Sequence, residues 1–291
     1  MKKILNKLKV GVAALLLFFT GWLGYRYQYG TEVSLQNFKT ISSFCFIGDT
    51  GMGNKNQYRV AEKLNKDSCG AIFFLGDLIY PTGLKDENDP QFDLKFRKAY
   101  TSSASKFLVT GNHDSYSGTN SPWLKLAEKH DDLYMPYYYY SYKFGDTCVL
   151  VFDSFVYTTI KEGEYEKKQN KYVENFTNNK ACKLKISVAH HPYLSSGKSH
   201  GDAGKELGTK RLKKFYEKYL VGKIDYSFGG HEHIISFEGE VKGTKFFVSG
   251  AGSKLNRCVD TKRNFCLASL GYLALDIKSH NHIIIRYEFL E

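Results

Sequence analysis

The stretch Ala71-Ile72-Phe73-Phe74-Leu75-Gly76-Asp77-Leu78-Ile79-Tyr80 carries the pattern on which this chain is built. Five apolar residues stop abruptly at a glycine and a carboxylate. That length and that stop read as a buried strand feeding a polar loop. The same grammar recurs four times. Ser43–Ile47 runs into Gly48-Asp49-Thr50-Gly51, and residues 107–109 run into Thr110-Gly111-Asn112-His113-Asp114. Residues 186–189 run into His190-His191-Pro192, and residues 224–228 run into Gly229-Gly230-His231-Glu232-His233. Glycine lets backbone and ligand approach closely where a side chain would obstruct.

Amphipathic stretches lie between these strands: residues 57–64, with Val60, Ala61 and Leu64 on one face, then 123–127 and 212–220. Strand alternating with helix predicts an α/β domain with its ligand loops at the carboxyl ends of the strands. Residues 137–144 and 148–152 read as a hairpin turning through Gly145-Asp146, with the tyrosine run 137–140 as part of its first strand. Residues 246–249, 272–277 and 283–287 read as consecutive strands.

The residue types at the stops are those of a metal site. The chain has nine histidines, and five of them (His113, His190, His191, His231, His233) stand at three such ends. Carboxylate, amide oxygen and imidazole suit hard or borderline ions. A carboxylate shared by two ions would hold them about 3.5–4 Å apart, the spacing of two-metal hydrolytic sites. His231 and His233, two apart in an extended segment, can face one cluster while Glu232 points away, a surface or supporting residue.

The series Gly48-Asp49, Gly76-Asp77, Gly111-Asn112-His113-Asp114, His190-x-Pro192 and Gly230-His231-x-His233 resembles the calcineurin-like metallophosphoesterases. It looks more narrowly like the small, tartrate-resistant type of purple acid phosphatase. Most of the superfamily carries Asp-x-His in the first motif; here it is Asp49-Thr50-Gly51. The second motif gains Tyr80, at the spacing where the purple phosphatases carry a metal-binding tyrosine. The resemblance covers about residues 44–291 and includes Ser249-Gly250-Ala251-Gly252.

The resemblance implies a two-sheet β-sandwich flanked by helices, a four-layer αββα arrangement. It implies a ferric ion on Asp49, Tyr80 and His233, a divalent ion (iron, zinc or manganese) on Asn112, His190 and His231, and Asp77 bridging them. The ligand of the His-His pair is His190, two residues before the proline, with His191 a neighbour. His113 and His200 would contact phosphate and leaving group, and Asp114 would orient His113. The implied reaction is hydrolysis of phosphate monoesters by a metal-bound hydroxide, at acidic pH. Alternatives are a phosphodiesterase or nucleotide pyrophosphatase on the same scaffold, peroxide-dependent iron chemistry as a side activity, and a non-catalytic membrane-tethered binding protein. His130, His280 and His282 match no motif. The cysteine positions of the mammalian members are absent.

Composition bounds the rest. With 291 residues, 42% hydrophobic, the chain can bury one sizeable core. A net charge of +11 is spread over lysines interleaved with acids, which reads as a solubilising surface. No nucleic-acid-binding motif accompanies it, so no nucleic-acid partner is expected. Lys2, Lys3, Lys7 and Lys9 precede an uncharged run over residues 10–25, which predicts an export signal or uncleaved anchor and a catalytic domain outside the cytoplasm. The expected organisation is a signal or anchor over 1–30, a linker over 31–42 and a catalytic domain over 43–291. Of six cysteines, Cys45 and Cys148 sit in apolar runs and read as buried thiols, while Cys258 and Cys266 flank a polar loop where export permits a disulfide.

Overall fold

The computed structural model describes residues 35–118, 121–158, 163–206, 208–259, 265–279 and 282–290. Two sheets face each other. One holds six strands: β2 (Ser43–Ile47), β3 (Ala71–Leu75), β4 (Ser105–Val109), β5 (Leu133–Tyr134), β13 (Gly271–Ser279) and β14 (His282–Phe289), in the order β14-β13-β2-β3-β4-β5. The other holds eight: β1 (Gln36–Phe38), β6 (Tyr140–Phe144), β7 (Thr147–Val151), β8 (Leu184–Ala189), β9 (Tyr226–Gly229), β10 (Ile235–Val241), β11 (Thr244–Ser249) and β12 (Phe265–Leu267), in the order β1-β6-β7-β8-β9-β11-β10-β12. The expected α/β sandwich is the observed architecture.

In each sheet the strands that lead to the candidate ligands run parallel. The β2–β3, β3–β4 and β8–β9 pairs are all parallel. Their carboxyl ends therefore collect at one lip of the sandwich. Aromatic rings fill the space between the sheets. Phe46 of β2 lies flat on Phe228 of β9, with centroids 3.8 Å apart and planes 4° from parallel. Phe44 and Phe73 pack edge-on against Phe144 of the facing sheet. All five of these rings are essentially inaccessible to solvent.

The helices cover the outer faces. Asn54 caps α1 (Lys55–Lys66) by accepting the Gln57 N–H at 2.9 Å, and the helix buries Gln57, Val60, Ala61 and Leu64. Their 3-1-3 spacing is one helical face, and a capping side chain satisfies a donor the helix itself leaves unpaired. A four-residue helix, α2 (Asn112–Ser115), follows β4, and α3 (Ser121–Lys129) follows it. On the outer face of the larger sheet, α4 (Glu164–Asn178) and α5 (Lys210–Tyr219) pack over Leu150, Phe152 and Phe246.

Several expectations need correction. The strands over 246–249 and 272–277 are not neighbours: β11 belongs to the larger sheet, β13 and β14 to the smaller. Only Tyr140 of the tyrosine run is in a strand; Tyr138 and Tyr139 are buried in the bend before it. Inside the stretch expected as a linker, Gln36–Phe38 pairs in parallel with β6 as an edge strand. Cys45 and Cys148 are buried but are not thiols. They form disulfides with Cys69 and Cys182, and Cys258 pairs with Cys266. The basic and apolar N-terminal segment and His280 lie outside the described residues. Among the described ones, no helix is long and apolar enough to cross a membrane.

Candidate metal centre

Each of the five strand ends delivers its side chain to the same lip. The turns are tight enough to force three non-glycine residues into the left-handed region: Asp49 (φ 58°), Asp77 (φ 53°) and His231 (φ 68°). Such backbone costs about 1–3 kcal/mol per residue and persists only where surrounding contacts over-determine it. Here the contacts are explicit. Asp49 N–H donates to the Gly76 carbonyl at 2.9 Å, and His231 N–H donates across to Asp49 Oδ2 at 2.8 Å. His113 N–H donates to Asp77 Oδ1 at 2.9 Å. A Cβ on Gly111 would collide with the Asp77 carboxylate, so this loop needs glycine there.

The side chains fall into two groups that meet at Asp77. On one side, the Tyr80 hydroxyl lies 2.8 Å from Asp77 Oδ2 and 3.0 Å from Asp49 Oδ1. His233 Nε2 lies 3.4 Å from both the Tyr80 hydroxyl and Asp49 Oδ1. On the other side, His190 Nε2 lies 2.9 Å from Asn112 Oδ1, 3.1 Å from His231 Nδ1 and 3.5 Å from Asp77 Oδ1. Each oxygen of Asp77 therefore faces one group.

The donor chemistry fits cations. His190 Nδ1–H donates to the Leu75 carbonyl at 2.9 Å, which leaves the Nε2 lone pair pointing inward. Asn112 Nδ2 donates to the Tyr116 hydroxyl at 2.9 Å, which turns its oxygen inward too. Two acceptors thus face each other beside a buried carboxylate, an arrangement that a proton or a cation must complete. Burial pushes the His190 imidazole down, but Asp77 and Asp49 outweigh it and hold the ring above its ordinary range. Burial also pushes Asp49 up, and hydrogen bonding and charge from His233, with His190 and His231, hold it well below the usual carboxylate range. Burial and the adjacent Asp49 and Asp77 drive the Tyr80 phenol far above its ordinary value, so cation binding through its oxygen would expel a proton.

Position 51 accounts for the divergent first motif. A Cβ there would overlap the backbone of Leu78 and Ile79, so no side chain fits, and the Tyr80 hydroxyl stands beside Asp49 instead. His191 is buried against its neighbours, its Nδ1 within 2.8 Å of Ser154 Oγ. The Asp114 carboxylate accepts backbone N–H bonds from Leu78, Ile79 and Gly111, tying the second and third ligand loops together. His113 is held by its Nδ1–H donating to the Pro81 carbonyl at 2.6 Å. His231–His233 is a bent segment, not an extended strand, yet both rings reach the site. Glu232 does point away, but into the fold: fully buried, it accepts from the Gly201 N–H at 3.1 Å and from the His200 N–H.

Two participants have no motif in the sequence. Glu206 bridges His200 Nδ1 at 2.9 Å and His231 Nε2 at 3.3 Å. Its hydrogen bond raises the His200 imidazole, and the two histidines hold Glu206 well below its ordinary value. Lys254 lies with its ammonium 3.9 Å from the centroid of the Tyr80 ring. Both line an open cavity of about 310 Å³ shared by Asp77, Asn112, His113, His200, His231 and His233.

Residues 42–234 match the family model of the calcineurin-like phosphoesterases. Purple acid phosphatase 17 of Arabidopsis thaliana is 30% identical over 244 residues, covering 73% of this chain and 68% of that protein. Purple acid phosphatase 7 of the same plant is 29% identical over 238 residues, covering 73% and 70%. The fold of the purple acid phosphatase PPD1 from yellow lupin seeds superposes with a TM-score of 0.62 at 16% identity, over 87% of this chain and 52% of that one. GAP50, the anchor in the inner membrane complex of Plasmodium, superposes with a TM-score of 0.68 at 20% identity, over 86% and 84%, a likeness of fold alone. The family model and the shared sequence agree: the chain is a metal-dependent phosphatase of the calcineurin-like phosphoesterase family, among the purple acid phosphatases.

Proposed function

We propose that this chain hydrolyses phosphate monoesters at a binuclear centre, with a ferric ion on Asp49, Tyr80 and His233, a divalent iron, zinc or manganese on Asn112, His190 and His231, and Asp77 shared. The observation that carries the reading is the division at Asp77, one carboxylate oxygen to each group of donors. When bound, the ions supply positive charge for the phosphoryl oxygens and acidify water.

The chain's own residues do the rest. His113, its Nδ1–H spent on Pro81, keeps Nε2 toward the cavity, 4.0 Å from Asp77 Oδ2, where as an imidazolium it can donate to a phosphoryl oxygen. His200 is fixed at two points, and its segment at a third. Glu232 accepts its backbone N–H, Glu206 holds Nδ1, and Lys198 N–H donates to Arg257 on the adjoining segment at 2.9 Å. Its Nε2 is left to give a proton to the departing alcohol oxygen. Glu206, by holding a proton on His200, keeps that acid charged at higher pH than an isolated imidazole would be.

Three disulfides suit an oxidising compartment, and with the N-terminal sequence they support an exported protein. The test of function is product analysis with aryl phosphate monoesters and diesters on the metal-loaded protein. Preferential monoester turnover is expected. Faster diester cleavage would replace this reading with a phosphodiesterase, and bound metal without any hydrolysis would replace it with a binding protein.

A further inference from the structure

Glu232 stands between His231 and His233 in the chain, yet its side chain holds another part of the fold. It is fully buried, and among the described residues its carboxylate bonds only to two loops. Oε1 accepts the N–H of His200 and, at 3.1 Å, the N–H of Gly201. Oε2 accepts from Asn256 Nδ2 at 3.2 Å. Asn256 Nδ2 also donates to Ser199 Oγ, and the Asn256 backbone N–H donates to the His233 carbonyl at 2.9 Å. No side chain fits at Gly197, where a Cβ would overlap the Glu232 carboxylate. A buried carboxylate needs its acceptor sites filled, and here the loop that carries His200 fills them. The stem of that loop is held by other means. Ser196 gives its N–H and its Oγ–H to the buried Glu238 at 2.8 and 2.7 Å. Lys198 N–H donates to the Arg257 carbonyl at 2.9 Å, and Val259 N–H donates to the Ser196 carbonyl at 2.8 Å. Residues 196–198 are thus anchored without Glu232, whereas the backbone of residues 199–201 rests on Glu232 and Asn256.

Resting on the reading of His200 as the acid, we propose that Glu232 is a positioning residue for it: the carboxylate fixes the His200 backbone against the segment that carries His231 and His233, so that Nε2 meets the departing alcohol oxygen. Oxygen from water bonds to phosphorus as the ester P–O bond breaks. The Nε2 proton of His200 passes to the leaving oxygen, and His200 regains a proton from the solvent. A displacement of about 1 Å in such a group can cost on the order of a hundredfold in rate. The cost depends on the leaving group. An alkoxide, as from glycerol 2-phosphate, needs its proton as the bond breaks, whereas 4-nitrophenolate is stable enough to leave without one. Loosening the acid therefore slows alkyl esters more than nitrophenyl esters, a bias that a general loss of structure or of metal would not produce.

The test compares metal-loaded wild type, Glu232→Ala, Glu232→Gln, Asn256→Ala and His200→Ala on glycerol 2-phosphate and 4-nitrophenyl phosphate. Metal content and amide hydrogen exchange at His200 and Gly201 are measured alongside. The fall in kcat for Glu232→Ala should be about tenfold or more larger on glycerol 2-phosphate than on 4-nitrophenyl phosphate, the same bias that His200→Ala shows. The two loop amides should exchange about tenfold or more faster, while those of β9 keep their protection. Glu232→Gln retains an oxygen for both amides and should restore most of the loss. Asn256→Ala, which leaves the buried carboxylate in place, should show the same bias at smaller size, and it decides the matter if Glu232→Ala does not fold. Equal losses on the two esters, loss of the bound metal, or unchanged exchange at the loop amides overturns the inference and spares His200 as the acid. His200→Ala without the bias refutes both.

Discussion

Replacing Asp114 by alanine tests whether the ligand loops are held by one buried carboxylate. Asp114 accepts from the Leu78 N–H at 3.0 and 3.1 Å, from the Ile79 N–H at 3.1 Å and from the Gly111 N–H at 2.8 Å. Asp114→Ala strands three buried donors, at about 1–3 kcal/mol each. The loss is about 3–9 kcal/mol, and water entering the cavity would bring it to the lower end. At 3 kcal/mol the melting temperature of a domain this size falls by about 6–12 °C. The size of the effect should depend on pH. Burial, and then the adjacent Asp77, push the Asp114 carboxyl up to about 7 in the metal-free protein. A group raised on folding stabilises most below its unfolded value and loses that contribution as pH rises through its folded value. At pH 5, between the two values, the side chain is mostly neutral in the folded protein and much of that contribution remains, though no longer all of it. At pH 8 its charge repels Asp77, so removing it recovers part of the loss. Urea melts of metal-stripped wild type and Asp114→Ala at both pH values decide the matter. A difference under about 1 kcal/mol at pH 5, or a larger one at pH 8 than at pH 5, would refute the reasoning.

Phe228→Ala removes the ring stacked on Phe46 between the sheets and should cost about 3–5 kcal/mol by urea unfolding; a cost below about 1 kcal/mol would mean the stack is not a core contact. Glu206→Gln should lower kcat and move the alkaline limb of its pH profile downward, with KM little changed, because the hydrogen bond that raises His200 weakens; an unmoved limb counts against His200 as the acid. Burial pushes Asp67 up, but hydrogen bonds from Arg286 and Tyr272 hold it below its ordinary value. Its contribution is present above the unfolded value of about 3.9 and is lost as pH falls through the lower folded one. Acid melts of Asp67→Asn should therefore converge with wild type as pH drops, and a gap that persists below pH 2 would argue otherwise.

The five strand-end stops were legible because their signal is local: a buried run, a glycine and a ligand-type side chain within a few residues. What failed was non-local. An apolar run around Cys45 looks the same whether its sulfur is a thiol or is bonded to Cys69, 24 residues away. Glu206 lies in a loop that only the fold brings to His200 and His231, and no spacing rule marks it. Asp114 adjoins His113 in sequence, and nothing local shows that it also reaches backward to N–H groups some 35 residues earlier. The helix α4 was missed because its buried side includes Glu166 and Gln169, polar residues that blur the amphipathic stripe. Glu166 faces Arg211 of α5. His231 and His233 were expected to face one cluster by strand alternation, but the backbone does not alternate as a strand does, and a left-handed residue aims the first ring instead.

The central claim is that Tyr80 stands in for the missing first-motif histidine as a ligand to iron. The most direct test is the visible absorption spectrum and metal content of iron-loaded wild type beside iron-loaded Tyr80→Phe. Wild type should bind two metal ions per chain and show a charge-transfer band from phenolate to ferric iron, and Tyr80→Phe should lack that band. A wild-type protein with its full iron complement and no colour, or a Tyr80→Phe variant that keeps the band, would contradict the account.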